Sequence, residues 1–223
     1  IDFVMGNIDA DTLDRRIMSL KENYPKEAFY SCFNFLSSHD TKRILTVLGN
    51  KNCQSKDEQA EERLCGEELS IAIKKLKCLI YMQMLLPGVP VIFYGDEAGL
   101  EGYSDPFCRR CFPWGQENTD LTEFYRKSIK MRNESKAFTS GEFETVYKFE
   151  RGFGFIRRYE NESYIVLVNT GGSDRFRLDV ARLGIDELVS IDGGDQHISP
   201  DGIFYLDMPE MSVKIFSTQK KDS

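Results

Sequence analysis

The 223-residue chain is 41% apolar with a mean hydropathy of −0.40. At this length folding buries about 70% of the surface the unfolded chain exposes, enough for one large domain or two small ones. Twenty-nine Lys and Arg stand against 36 Asp and Glu, and the net charge of −7 is scattered rather than gathered in a tail, which repels a nucleic-acid backbone or an anionic membrane.

The longest apolar run, Cys78 to Leu86, is broken by Gln83 and ends at Pro87, short of the roughly 20 residues that span a bilayer. Neither nucleic acid nor a membrane is an expected partner. The chain opens at Ile1 without initiator Met, charged n-region or small-residue cleavage site, and so reads as a piece of something longer. Six cysteines are too few for a disulfide scaffold, and Cys32 and Cys78 fall in apolar stretches where a free thiol packs as a small hydrophobe. A cytoplasmic location is expected, with secretion left open. Cys108 and Cys111 form a lone Cys-x-x-Cys, a redox pair or half a zinc site, with only His39 and His197 to complete a ligand set. No metal and no cofactor are expected.

In chain order, Asp11 or Thr12 caps a helix whose Leu13, Ile17, Leu20 and Tyr24 recur at helical spacing before Pro25. Phe29 to Leu36, apolar on both faces apart from Ser31 and Asn34, predicts a strand buried on both sides, and Ser37-Ser38-His39-Asp40 sits at its carboxyl end. Residues 49–66 are polar and predict an exposed loop or a solvated helix start. From Glu68, Leu69, Ile73, Leu76, Ile80 and Met84 mark a helix that Pro87-Gly88 ends. Val89 to Tyr94 predicts a second strand, closed by Gly95-Asp96-Glu97. A third helix starts at Asp120, with Glu123 three residues on.

Helix, strand, helix, strand, helix implies parallel crossovers. After Phe138 the period becomes two. Phe143 to Phe149, Phe153 to Tyr159, Tyr164 to Val168, Arg175 to Leu178, Leu188 to Ile191, Ile203 to Leu206 and Ser212 to Phe216 predict seven strands separated by Gly- and Asp-rich turns, an antiparallel sandwich.

Loops at the carboxyl ends of parallel strands converge on one face, where ligands bind. His39-Asp40 and Asp96-Glu97 would then meet as carboxylates beside an imidazole, groups able to protonate a leaving oxygen and steady a cationic transition state; the plainer reading of Ser-His-Asp is a helix N-cap. Asp105 and Arg109 could grip a polyol, and the Trp114 ring could lie on a sugar face, or the three could be an ion pair and a core Trp. His197 reads as an edge-strand histidine, and Asp192-Gly-Gly-Asp195 as a turn lacking the ligand count calcium needs. Phosphate-binding Gly-rich motifs and G-x-S-x-G are missing.

Phe33-Asn34-Phe35-Leu36-Ser37-Ser38-His39-Asp40-Thr41, followed by Pro87-Gly88-Val89-Pro90-Val91-Ile92-Phe93-Tyr94-Gly95-Asp96-Glu97, resembles the seventh and eighth barrel strands of the alpha-amylase family of glycoside hydrolases, most of all neopullulanases and cyclomaltodextrinases. Asp105-Pro106-Phe107-Cys108-Arg109-Arg110 through Trp114-Gly115 resembles the loop after the eighth strand, with Cys111 as a departure.

The resemblance covers nearly the whole chain. It implies the C-terminal part of a (β/α)8 TIM barrel over 1–138, an antiparallel β-sandwich over 139–219 and a tail at 220–223. It also implies retaining hydrolysis of α-glucosidic bonds in maltooligosaccharides, cyclodextrins or pullulan, by an Asp nucleophile, a Glu acid/base and a stabilising Asp.

Asp40 matches the stabiliser, His39 the histidine on the sugar hydroxyls, and Asp105 with Arg109 a pair holding a neighbouring glucose. Asp96 and Glu97 match a motif read as structural or supporting. A whole barrel takes about 250 residues, so the nucleophile and acid/base are expected upstream, the missing N-terminal part of the same protein becomes a partner, and the chain alone should not turn over. Three further readings are a non-catalytic carbohydrate-binding module, a self-contained hydrolase using Asp40 and Glu97, and an amylase-like transporter subunit, which the intact His39-Asp40 disfavours. Two barrel strands without neighbours expose apolar edges, so self-association into a homo-oligomer is also expected.

Overall fold

The computed structural model describes residues 1–220. A single turn of helix, α1 (Asp2–Met5), buries Phe3 and Val4 and closes on Gly6 at φ 87°. Helix α2 (Ala10–Asn23) starts one residue ahead of Asp11, because Asp9 is the cap: its carboxylate accepts the Thr12 N–H at 2.8 Å. The strand expected at Phe29–Leu36 is mostly something else. Pro25 opens a further short helix, α3 (Lys26–Tyr30), and only Phe33–Phe35 remains extended as β1. Lys-Glu-Ala are good helix formers, and they override the apolar run that follows them. Cys32 is exposed rather than packed, whereas Cys78 is buried; all six thiols are free.

Helix α4 (Ile44–Gly49), which the sequence reading missed, buries Ile44, Leu45 and Leu48. The polar stretch after it holds α5 (Lys56–Glu61), closed at its start by a Ser55/Glu58 capping box and burying nothing. Helix α6 (Gly66–Leu85) is the spine of this half, with Leu76, Ile80 and Leu85 fully buried. It leads into β2 (Val89–Val91), three residues where Val89–Tyr94 were expected. Strands β1 and β2 pair in parallel, Phe33 opposite Val89 and Phe35 opposite Val91. Helices α7 (Thr119–Glu134) and α8 (Lys136–Ser140) follow, α7 capped by Asn118 rather than Asp120.

The remainder is antiparallel: β3 (Glu142–Phe149), β4 (Gly152–Tyr159), β5 (Glu162–Asn169), β6 (Asp174–Asp179), β7 (Ile185–Ser190), β8 (Gln196–Ile198), β9 (Ile203–Met208) and β10 (Ser212–Lys220). Six strands form one sheet in the order β3-β4-β5-β10-β7-β8, and β6 pairs separately with β9. The short β8 was not expected. It is an edge strand and carries His197, edge-on to Phe216 at 5.7 Å. Residues 221–223 of the expected tail lie outside the described residues.

Alternation along the central strands divides two cores. Phe153, Phe155, Val166, Val168 and Ile215 join α1, α6 and α7 in one cluster, while Ile156, Ile165, Leu167 and Phe216 meet Phe176, Leu178 and Leu206 of the β6–β9 pair in the other. The first cluster runs without interruption from the helical half into the antiparallel half. Buried Arg157 of β4 fastens the two, donating to the Leu85, Phe138 and Gly141 carbonyls at 2.6, 3.1 and 3.0 Å. Arg132 ties α7 to the end of α6 and the turn after it, donating to the Met84 and Gly88 carbonyls. Both guanidinium groups sit on the carbonyl end of α6, where a cation complements the helix dipole. Burial lowers the Arg157 guanidinium to about 10.

Candidate functional site

The segments after β1 and β2 approach each other, as the parallel pairing requires. His39 Nε2 lies 3.1 Å from Asp40 Oδ2, and Arg109 reaches both Asp40 Oδ1 at 3.4 Å and Asp105 Oδ1 at 2.8 Å. The four residues expected at the site therefore form one chain of contacts, His39–Asp40–Arg109–Asp105. Each side chain is at least half exposed, so the ion pairs themselves add little stability; what they fix is direction, two carboxylates turned by one guanidinium.

The support beneath runs from an exposed turn down to buried groups. Cys108 donates its thiol to the His39 carbonyl at 3.1 Å, and Ser38 Oγ accepts the Asp40 N–H at 3.3 Å. Arg43, fully buried, was not singled out by sequence reasoning. It donates from Nε to the Cys108 carbonyl at 2.8 Å and from Nη1 to the Tyr94 carbonyl and to Asp96 Oδ1. Its guanidinium also lies 4.0 Å from the Phe93 ring and 4.5 Å from that of Tyr94. Asp96 takes a second bond from the Ser37 hydroxyl. One cation and one carboxylate thus join the segment after β1, the segment after β2 and the loop carrying Asp105 and Arg109. Desolvation is the largest influence on Asp96 and pushes its carboxyl up to about 6, against the opposing pull of Ser37 and Arg43. Arg43 follows Lys42 directly, and no local signal in the sequence marks it.

Glu97 does not join Asp40. It lines a groove with Tyr94, Phe112, Tyr125 and Ile129. Trp114 is 81% exposed and rests on Phe112, ring centroids 4.5 Å apart, so it is not a core Trp. Cys108 is buried and Cys111 exposed, which removes the Cys-x-x-Cys as a pair acting together. Among the described residues, three or more His, Cys, Asp or Glu side chains nowhere gather as a metal site would require, and no helix is long and apolar enough to cross a membrane.

Residues 2–142 match the catalytic domain of the alpha-amylase family, and the chain belongs to that family. Its curated relatives include an amylopullulanase of Thermoanaerobacter thermohydrosulfuricus, 39% identical over 96% of this chain and 16% of the relative. Neopullulanase 2 of Thermoactinomyces vulgaris is 30% identical over 76% of this chain and 26% of its own length. Among solved structures, the debranching enzyme of Nostoc punctiforme superposes with a TM-score of 0.72 at 26% identity, covering 95% of this chain and 40% of that one. This chain spans between 13% and 19% of the amylopullulanases it matches.

Proposed function

We propose that this chain is the C-terminal part of a (β/α)8 barrel, over 1–138, followed by an antiparallel β-sandwich, over 139–219. We further propose that the protein to which it belongs cleaves α-glucosidic bonds in maltooligosaccharides, cyclodextrins or pullulan with retention of configuration. The observation that carries this reading is the exposed cluster His39–Asp40–Arg109–Asp105 at the carboxyl ends of a parallel pair. In such a reaction positive charge develops at the anomeric carbon, and a fixed carboxylate beside it is worth most in the transition state. Asp40 is that carboxylate. His39 hydrogen-bonds sugar hydroxyls, and Arg109 orients Asp40 while holding Asp105 on a neighbouring glucose. The nucleophile and the general acid/base come from upstream of residue 1.

A second reading has a specific support. Within this chain Asp40 and Asp105 are both engaged by one arginine, an arrangement suited to gripping a polyol without cutting it, so a carbohydrate-binding module remains the alternative for the chain by itself.

The test is reducing-end release from pullulan and cyclodextrin by the longer polypeptide encoded in frame and by this chain, each with Asp40→Asn. The longer polypeptide should lose about a hundredfold to a thousandfold in kcat with Asp40→Asn while keeping its fold, comparable to losing one transition-state stabilising group. The 223-residue chain should release nothing. Release by this chain that Asp40→Asn abolishes would show that all the catalytic groups lie within it and would end the fragment reading.

A further inference from the structure

Two segments distant in sequence meet beside the cluster. One is the arc from Glu101 to Arg110, which carries Asp105 and Arg109. The other is residues 51–64, a compact strap that holds α5 and closes on itself: Lys51 pairs with Glu62 and, at 2.8 Å, with Glu68, and Gln59 Nε2 donates to the Cys53 carbonyl at 3.0 Å. Leu64 is the one buried residue of this strap. Ordering such a length of chain costs conformational entropy that burial of a single leucine does not offset, so its polar ties hold it in place.

Those ties run to the arc. Glu101 accepts the Leu64 N–H at 2.9 Å, the buried Tyr103 hydroxyl lies 3.1 Å from Cys53 Sγ and 3.3 Å from the Lys51 carbonyl, and Arg110 donates to the Gln59 and Ala60 carbonyls. Gln59 and Ala60 belong to the last turn of α5, whose carbonyls have no partner within the helix, and a guanidinium there also meets the negative end of the helix dipole. Tyr103 and Arg110 bracket residues 104–109, so the stretch carrying Asp105 and Arg109 is fastened to the strap at both ends. Arg109, next to Arg110, lies 2.8 Å from Asp105 Oδ1 and 3.4 Å from Asp40 Oδ1. Asp40 has supports that bypass the strap: Ser38 Oγ accepts its N–H, and Cys108 donates to the His39 carbonyl.

We infer that Arg110 is a positioning residue for substrate binding: by clamping the end of α5 to the arc it sets where the Asp105–Arg109 pair stands, and through it the strap governs how tightly the glucose unit next to the cleavage point is held. This rests on the reading of Asp105 and Arg109 given above, and it brings into binding a helix that contributes no residue to the cluster. Binding away from the reacting carbon enters KM rather than kcat.

The experiment uses the longer in-frame polypeptide with Arg110→Ala, with Ser55→Ala and with both, read by steady-state cleavage of pullulan and by amide hydrogen exchange in peptides covering 51–65 and 103–109. Arg110→Ala should raise KM about tenfold, the effect of losing a hydrogen bond from a charged group, while kcat stays within about threefold of the wild type. Exchange should quicken in both peptides. Ser55→Ala loosens α5 at the end away from Arg110. It should quicken exchange at 103–109 and raise KM while Arg110 is present, and add nothing to either in the Arg110→Ala background, because sites acting through one link are not additive.

Additive effects of the two substitutions overturn the inference, as does faster exchange confined to 51–65, or a kcat that falls as far as KM rises. Exchange needs no turnover, so the two readings fail separately. An active polypeptide whose KM and arc exchange ignore Arg110 refutes the clamp alone. Coupled exchange in a polypeptide that cleaves no α-glucan upholds the clamp between α5 and the arc and refutes the activity, and with it the role in holding glucose.

Discussion

Arg43 occupies the junction of three chain segments, and its neighbours explain why no shorter or neutral side chain could replace it. It is fully buried, pairs with Asp96 at 3.2 Å and donates to two backbone carbonyls on different loops. Arg43→Met keeps much of the volume but leaves Asp96 as a buried carboxylate without its cation. Removing one partner of a buried pair costs about 3–5 kcal/mol, and urea unfolding should report a loss of that size. A loss below about 1 kcal/mol would mean that water already reaches this junction.

The same pair makes stability depend on pH in an unusual direction. Because the folded Asp96 carboxyl is raised from 3.8 to about 6, the folded state holds its proton more tightly than the unfolded chain does. The stabilisation from the protonated form is complete below 3.8 and is lost as pH rises through 6. Asp96→Asn cannot titrate, so the stability of the wild type relative to this variant should fall by about 2 kcal/mol between pH 4 and pH 7. An unchanged difference across that interval would contradict the raised carboxyl.

At the level of elements, long periodic segments and short ones behaved differently. The apolar repeat from Leu69 to Met84 located α6 to within two residues, and the alternation after Phe138 located seven of the antiparallel strands, because in both cases many side chains report one period. Three-residue strands carry no such redundancy. β1 and β2 are too short to alternate, and the residues flanking them follow Pro25, in α3, or the Gly95 turn.

Helix α5 was legible only as polarity, since it buries nothing and stands on its capping box. That dependence gives a local prediction. Ser55→Ala removes the acceptor of the Glu58 N–H and should cost about 1 kcal/mol in α5. The cost should appear as faster proteolysis within residues 50–65, with the global unfolding midpoint unchanged; a shifted midpoint would show that α5 belongs to the cooperative core. The site divided in the same way. His39, Asp40, Asp105 and Arg109 could be picked out because polar residues closing apolar runs are conspicuous. Arg43 could not, because nothing local distinguishes a buried arginine from a solvated one: its partners Tyr94, Asp96 and Cys108 lie 51 to 65 positions away.

Across the whole molecule, the two cores share one sheet, and Arg157 locks that sheet to α6, so the antiparallel half acts as a lid that buries one side of the helical half. The other side is left bare. Phe33, Phe35, Val89 and Val91 point away from α6 and are 70%, 57%, 42% and 37% exposed, on a two-stranded sheet with backbone groups unpaired along both edges among the described residues. Apolar side chains on an open sheet edge template pairing with another chain. The 223-residue chain by itself should therefore sediment at micromolar concentration as dimers or larger species rather than at 25.7 kDa. Phe33→Asp with Phe35→Asp should return it to a monomer with its helical circular-dichroism signal intact, because neither side chain contributes to a buried cluster. A monodisperse wild-type monomer would mean that this face tolerates water as it stands. A variant that stays associated would show that the contact lies outside the β1–β2 pair.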